Sequence, residues 1–182
     1  MTVEIRFARP GEAGLVLNFV RELAAYEKLA DEVEADEGAI DDALFAEAPK
    51  AFCDIAEWDG EPVGFALWFL NFSSFRGRNG LYLEDIFVRP AHRGRGIGRA
   101  ILRKLAERCL AQGWTRLEWA VLDWNQPAID FYEAQGATLL RTGRSAGSAE
   151  ARSAASAGPT RRTASSAPRR FAVWNLCIRV TH

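Results

Sequence analysis

The densest chemistry in this chain lies in one short stretch, "EDIFVRPAHRGRGIG", Glu84 to Gly98. Two adjacent carboxylates, Glu84 and Asp85, come first, and either side chain could accept a proton or hold a cation. A loop with three glycines and two arginines, Arg93-Gly94-Arg95-Gly96-Ile97-Gly98, closes the stretch. It falls between a strand-like and a helix-like segment. There, unpaired N–H groups and the helix dipole favour an anion, and glycine lets the backbone approach closely. A phosphate is its natural guest. A glycine-rich turn with solvated arginines stays open as well, because the spacing by itself is a weak signal. The loop lacks the Gly-Lys-Ser/Thr of a Walker A motif. Its Gly-x-Gly-x-Gly spacing and its position after the fourth strand do not fit the dinucleotide fingerprint. In a regular strand Tyr82, Glu84 and Ile86 share one face and Leu83, Asp85 and Phe87 the other, so the two carboxylates point apart, which leaves Asp85 to structure.

The elements that must carry these residues alternate. "VEIRFA" reads as a strand stopped by Pro10-Gly11, and Leu15, Val16, Phe19, Leu23 and Tyr26 then recur at helical spacing. A shorter helix fits 36–46. "AFCDIAEW" and "PVGFALWFLNF" flank Asp59-Gly60, a hairpin signal, and "LYLEDIFV" is the next strand. After the loop, Ile97, Ile101, Leu102, Leu105 and Cys109 mark a helix ending at Gly113, followed by the strand "WTRLEWAV". Strand, helix and strand in that order imply a right-handed crossover joining parallel strands. A last helix starts near Asn125, a suitable N-cap, with Pro127 in its first turn, and ends at Gly136. The class is a mixed α/β sheet.

Composition bounds the rest. The 182 residues are 48% apolar, enough for one domain with a substantial core. The longest apolar run, "VGFALWFLNF", is far short of the roughly 20 residues of a membrane helix, and "MTVEIRF" lacks the regions of a signal peptide. A soluble, cytoplasmic protein without a membrane partner is expected. Cys53, Cys109 and Cys177 are too scattered for a disulfide framework or a metal knuckle, so no metal is expected. The net charge of −1 conceals an asymmetry: eight arginines and a single acid lie from Arg141 onward, which leaves residues 1–140 with 15 basic and 23 acidic side chains. An acidic body disfavours nucleic acid and favours a cationic substrate. Segment 141–170 has no Val, Ile, Leu or aromatic residue and is expected to be disordered. Its Ala, Arg, Gly, Pro and Ser content is what an off-frame reading of GC-rich DNA yields. Segment 171–182 regains strand-like composition in "FAVWNLCIRV" and could close the sheet or remain an atypical tail. The domain proper is 1–140.

Four motifs carry a family resemblance. "VRPAHRGRGIGRAIL" looks like the acetyl-CoA loop of the GCN5-related N-acetyltransferases (GNAT). "ELAAYEKL", "LYLEDIFV" and "WNQPAIDFYEAQGA" together resemble the spermidine/spermine and thialysine (diamine) N-acetyltransferase branch, over residues 3–140. The resemblance implies a GNAT fold: a mixed, mostly antiparallel sheet with a parallel pair around the acetyl-CoA cleft and about four helices. It implies acetyl-CoA as co-substrate, held by the backbone of Ile86, Phe87 and Val88, by Arg93, Gly94, Arg95, Gly96, Ile97, Gly98 and Arg99, and by Asn125, Pro127 and Ala128. It places a base at Glu84, acting through a bound water, and a general acid at Tyr132. Tyr26, Glu27, Glu84 and Phe75 would meet the amine. Ser73 and Ser74 stand where some polyamine acetylators carry an acid, a departure favouring a shorter diamine or a lysine-like amino acid such as thialysine. A homodimer is expected. Acetylation of another amine, such as an aminoglycoside or a protein N-terminus, and a non-catalytic CoA sensor remain as alternative readings.

Overall fold

The structure, a computed structural model, describes residues 2–140 and 173–179. The expected disorder of 141–170 lies outside the described residues. Strand β1 (Val3–Phe7) leads into α1 (Ala13–Glu27) and α2 (Glu37–Phe45), and β2 (Phe52–Trp58), β3 (Glu61–Ser73) and β4 (Arg78–Val88) follow. Helix α3 (Ile97–Gln112), β5 (Arg116–Leu122), α4 (Gln126–Ala134), β6 (Thr138–Leu140) and β7 (Val173–Arg179) complete the order. The strands form one sheet in the order β1-β2-β3-β4-β5-β7-β6. Every pairing is antiparallel except β4 with β5, so the crossover through α3 does join a parallel pair. The backbone of 173–179 does close the sheet, lying antiparallel between β5 and β6.

Each face of the sheet buries its own core. Val16, Phe19 and Leu23 of α1 and Leu44 of α2 pack with Cys53, Ile55, Phe65 and Phe87. On the other face Ile101, Leu105 and Cys109 of α3 and Ile129 and Tyr132 of α4 pack with Trp68, Leu81, Leu83, Leu117 and Trp119. Val16, Phe19 and Leu23 of α1 and Ile101, Leu105 and Cys109 of α3 are positions that helical spacing marks in the sequence.

The partition shows a break inside β4. Leu81 and Leu83 join one core and Phe87 the other, although strict alternation would keep all three on one face. The cause is a β-bulge. Leu67 of β3 stands opposite Asp85 and Trp68 opposite Leu83, which leaves Glu84 as the extra residue. The expectation that Leu83, Asp85 and Phe87 share a face is therefore wrong, because one inserted residue reverses the facing of everything after it.

At nearly the same level β4 parts from β5. Their pairing runs Leu81 to Leu117, Tyr82 to Glu118 and Leu83 to Trp119, and stops there. Beyond it β4 continues along β3 as far as Val88 opposite Gly64, while β5 continues along β7 as far as Leu122 opposite Val173. The diverging strands leave a cleft in the middle of the sheet.

Helix α3, which begins at the end of the glycine loop, is anchored from below. Asp54 of β2 is fully buried and accepts hydrogen bonds from Arg108 Nη1 at 2.6 Å, Arg108 Nη2 at 3.0 Å and Trp68 Nε1 at 2.8 Å. The guanidinium lies against the rings of both Phe7 and Trp68, 4.2 and 4.8 Å from their centroids. Removing one member of such a buried set strands the others, at a cost of about 3–5 kcal/mol. Asp54→Ala is accordingly expected to lose stability of that order in urea denaturation, and a loss below about 1 kcal/mol would show that α3 does not depend on this anchor.

Candidate active site

The cleft has a volume of about 610 Å³. One wall is β4 from Leu83 to Val88 and the other is β5 from Trp119 to Leu122, while the glycine loop and the first turn of α3 close one end. Helix α4 contributes Pro127, Ala128, Phe131 and Tyr132, and α1 contributes Leu23, Tyr26 and Glu27. Of the sequence-predicted residues, Tyr26, Glu27, Glu84, Ile86, Phe87, Val88, Arg93, Gly94, Gly96, Ile97, Gly98, Arg99, Asn125, Pro127, Ala128 and Tyr132 all line it.

Two do not. Phe75 sits in the β3–β4 turn with its side chain wholly in solvent, away from the cleft walls. Arg95 points elsewhere, its guanidinium 5.2 Å from the centroid of the Trp58 ring. In the loop the sequence yields glycine and arginine types but not which arginine packs back onto the protein.

The loop presents backbone rather than side chains. Gly96 is the N-cap of α3 with φ +80°, and no side chain caps the helix, so the first-turn N–H groups remain available to a ligand. Gly98 lies so close to α4 that a Cβ there would meet Phe131 Cζ at 3.1 Å. This cradle fits a diphosphate. Arg93 has a different task from the one its motif suggests: its Nε donates to the Val88 carbonyl at 2.9 Å and its guanidinium covers the Tyr26 ring at 4.4 Å. It braces the loop against β4 and α1. His92 also lines the cleft, with a buried Nδ1 that has no hydrogen-bond partner among the described residues.

The Tyr26 hydroxyl donates to Asn125 Oδ1 at 3.3 Å, which ties α1 to the N-cap of α4. Asn125 Oδ1 also accepts from Ala128 N at 3.4 Å, the capping role expected from sequence. One face of Tyr26 thus already carries the Arg93 cation, and the residue acts as a joint between loop, α1 and α4.

The bulge brings the carboxylates together. Both Glu84 and Asp85 line the cleft, so the expectation that neighbouring acids cannot enter one site, and the assignment of Asp85 to structure, are overturned by the reversal of register. Glu84 is exposed and Asp85 is half-buried. Burial, then Glu84, then Glu27 raise the Asp85 carboxyl to about 7. Burial likewise raises Glu27. Tyr132 is 6% exposed, with its ring centroid 5.0 Å from that of Trp119. Burial first, then Glu27 and Asp85, hold its phenol well above the ordinary tyrosine value, so the hydroxyl keeps its proton at neutral pH. A proton acceptor near neutrality, an acidic surround for a cation and a protonated phenol face one space, the set required to deprotonate an amine and protonate a leaving group. Among the described residues no His, Cys, Asp and Glu group has a metal-binding arrangement, and no helix is long and apolar enough to cross a membrane.

Comparison with known proteins agrees with this geometry. The model of the Acetyltransferase (GNAT) family matches residues 18–137. The chain is 46% identical over 146 residues to thialysine N-epsilon-acetyltransferase of Bos taurus, covering 76% of this chain and 85% of that protein. It is 34% identical over 159 residues to streptothricin acetyltransferase of Streptomyces lavendulae, covering 74% and 81%. Among solved structures, an integron cassette protein from the mobile metagenome of V. cholerae superposes with a TM-score of 0.65 at 27% identity, covering 81% of this chain and 94% of that one.

The Asp85 environment has a consequence for stability. An unfolded aspartate titrates near 3.8 and the folded one near 7, so between those values the folded chain holds one more proton and stability falls as pH rises. Asp85→Asn cannot titrate. Its Tm is expected to match wild type at pH 5 and to exceed it at pH 8, and an unchanged or lower Tm at pH 8 would place Asp85 in an ordinary solvated setting.

Proposed function

Because the chain belongs to the GNAT acetyltransferase family and is an acetyl-CoA-dependent N-acetyltransferase, we propose that its acceptor is the primary amine of a small substrate with a second cationic group, a diamine or a lysine-like amino acid. One observation carries the reading: three carboxylates, Glu27, Glu84 and Asp85, line the cleft beside a protonated Tyr132. The naming of curated relatives as thialysine N-epsilon-acetyltransferases supports the same acceptor class.

An alkylammonium titrates near 10, so the enzyme must take its proton before the nitrogen can attack. We assign that proton to Glu84, as the family pattern implies. Asp85 is a second reading, supported by its value near neutrality and its half-buried place in the same cleft. The freed amine attacks the thioester carbonyl carbon, the N–C bond forms, the C–S bond breaks, and the Tyr132 phenol supplies a proton to the departing sulfur and regains one from the second proton that the nitrogen sheds as the amide forms. The protein holds the co-substrate through the loop backbone at Gly96 to Gly98 and the edge of β4 from Ile86 to Val88, which has no strand partner on the cleft side. Glu27, at the α1 end, faces the second cation.

A homodimer is part of the proposal. Leu70, Phe72 and Phe75 on and around the β3–β4 hairpin expose apolar surface that a second copy would cover, and Phe75 then belongs to an interface rather than to the amine site.

The test is turnover of acetyl-CoA against diamines, polyamines, thialysine, lysine and a peptide. Cationic diamino substrates are expected to exceed simple monoamines in kcat/KM, and Glu27→Gln to erase that preference by raising KM for the diamino substrates alone. A peptide or a neutral amine turning over best would overturn the acceptor class. The proton roles separate in pH–rate profiles. Tyr132→Phe is expected to lower kcat by about 10²–10⁴-fold at every pH while acetyl-CoA still binds. Whichever of Glu84→Gln and Asp85→Asn lowers kcat/KM most at neutral pH and moves its rise up to the range of the free amine, about 10, identifies the base. Such a shift in neither variant would place the base elsewhere.

A further inference from the structure

Two tryptophans in the same core differ in one respect. Trp68 is 2% exposed and its Nε1 donates to Asp54 at 2.8 Å. Trp119 is 1% exposed, its Nε1 is equally buried, and that nitrogen has no hydrogen-bond partner among the described residues. An indole N–H only donates, so no flip or tautomer relieves it, and native proteins seldom bury such a donor without an acceptor. Phenylalanine would fill much of the same space without a polar atom.

The location suggests where the acceptor comes from. Trp119 holds the last paired position of β5, opposite Leu83, where the strands part. It lines the cleft together with Leu83 and Tyr132, and the next residue on the facing strand is Glu84. Among the described residues the core around the ring supplies no partner, and the side of the ring that is open to an arriving acceptor is the cleft. The reacting end of the co-substrate belongs at this end, where the strands part, because the proposed acid and base are both here. Of the atoms it brings, the thioester carbonyl oxygen gains negative charge during transfer, and a fixed donor in a dry site acts most strongly on such an atom.

We infer that Trp119 is a further catalytic residue, whose indole N–H donates to the carbonyl oxygen of the acetyl thioester and stabilises the charge that develops there. The inference rests on the reading that acetyl-CoA lies in this cleft with its thioester beside Tyr132. Trp119 exchanges no proton: the oxygen gains charge as the N–C bond forms and loses it as the C–S bond breaks.

Trp119→Phe keeps an aromatic ring and removes the donor. Its kcat is expected to fall by about 10²-fold, with Kd for free CoA within about twofold of wild type and with Tm equal or higher, since an unsatisfied buried group has been removed. Unchanged kcat would overturn the inference, and so would a loss that free CoA binding shares in full, which marks a packing role. Should the variant fail to fold, the wild-type protein decides. Of its six indole N–H resonances, the one assigned to Trp119 is expected to shift downfield with a ketone analogue of acetyl-CoA and not with CoA. An equal response to both, or none, overturns the assignment. If wild type acetylates no amine on the panel while this resonance still responds to the analogue alone, the acceptor reading fails and the donor assignment stands.

Discussion

The parting of β4 from β5 after Leu83 and Trp119 is the constraint on which the rest of the molecule depends. A parallel pair held together along its full length would be an ordinary sheet interior with no room for a ligand. Here each strand leaves the other while keeping its outer partner, β3 for β4 and β7 for β5, so the sheet opens without unravelling. Beyond Leu83 the edge of β4 has no strand partner on the cleft side, the kind of edge to which an extended segment adds as a strand would. Closure on the β5 side rests on 173–179, whose backbone occupies the strand position beside β5. The sheet is thus opened from within and held from both sides.

The bulge at Glu84 converts this opening into a chemical site. By reversing the facing of β4 it keeps Leu83 in the core with Trp119 and Tyr132, turns Phe87 toward α1, and brings Asp85 into the cleft near Glu27 and Glu84. The mutual effect of these acids follows. Burial first, and then the charge of the neighbouring acids, raises Asp85 toward neutrality and keeps the Tyr132 proton in place. An arriving cation relieves the same repulsion, so the arrangement that strains the empty site favours the loaded one. At the other end of the cleft, glycine backbone and the start of α3 leave N–H groups suited to a phosphate, and α3 is held by the buried Asp54 and Arg108 pair.

Much of this was legible in the sequence because it depends on period and on local chemistry. The helical spacing of Ile97, Ile101, Leu105 and Cys109, the Asp59-Gly60 turn, the Asn125 cap and the glycine loop each carry their own signal and lie where that signal placed them. The bulge was not legible, because Leu81, Leu83, Asp85 and Phe87 read as an unbroken alternation and the extra residue shows only in the pairing with β3. For the same reason the place of Asp85 in the cleft does not show in the sequence. Arg93 and Arg95 were assigned by motif, and packing against Tyr26 and Trp58 decides where they point. Phe75 illustrates the converse: an aromatic next to a motif in sequence need not lie near it in a hairpin this long. The orphaned nitrogen of Trp119 is a property of the folded core alone.

The central claim is that the open edge of β4 beyond the bulge is the seat of acetyl-CoA. Amide hydrogen exchange of the wild-type protein, read residue by residue with and without acetyl-CoA, tests it most directly. The account predicts new protection in the cleft-facing amides between Asp85 and Val88 and in the Gly96 to Arg99 turn, with the already paired 81–83 segment unchanged. Protection absent from β4 and confined to the loop, or appearing instead along the β3–β4 hairpin, would contradict it.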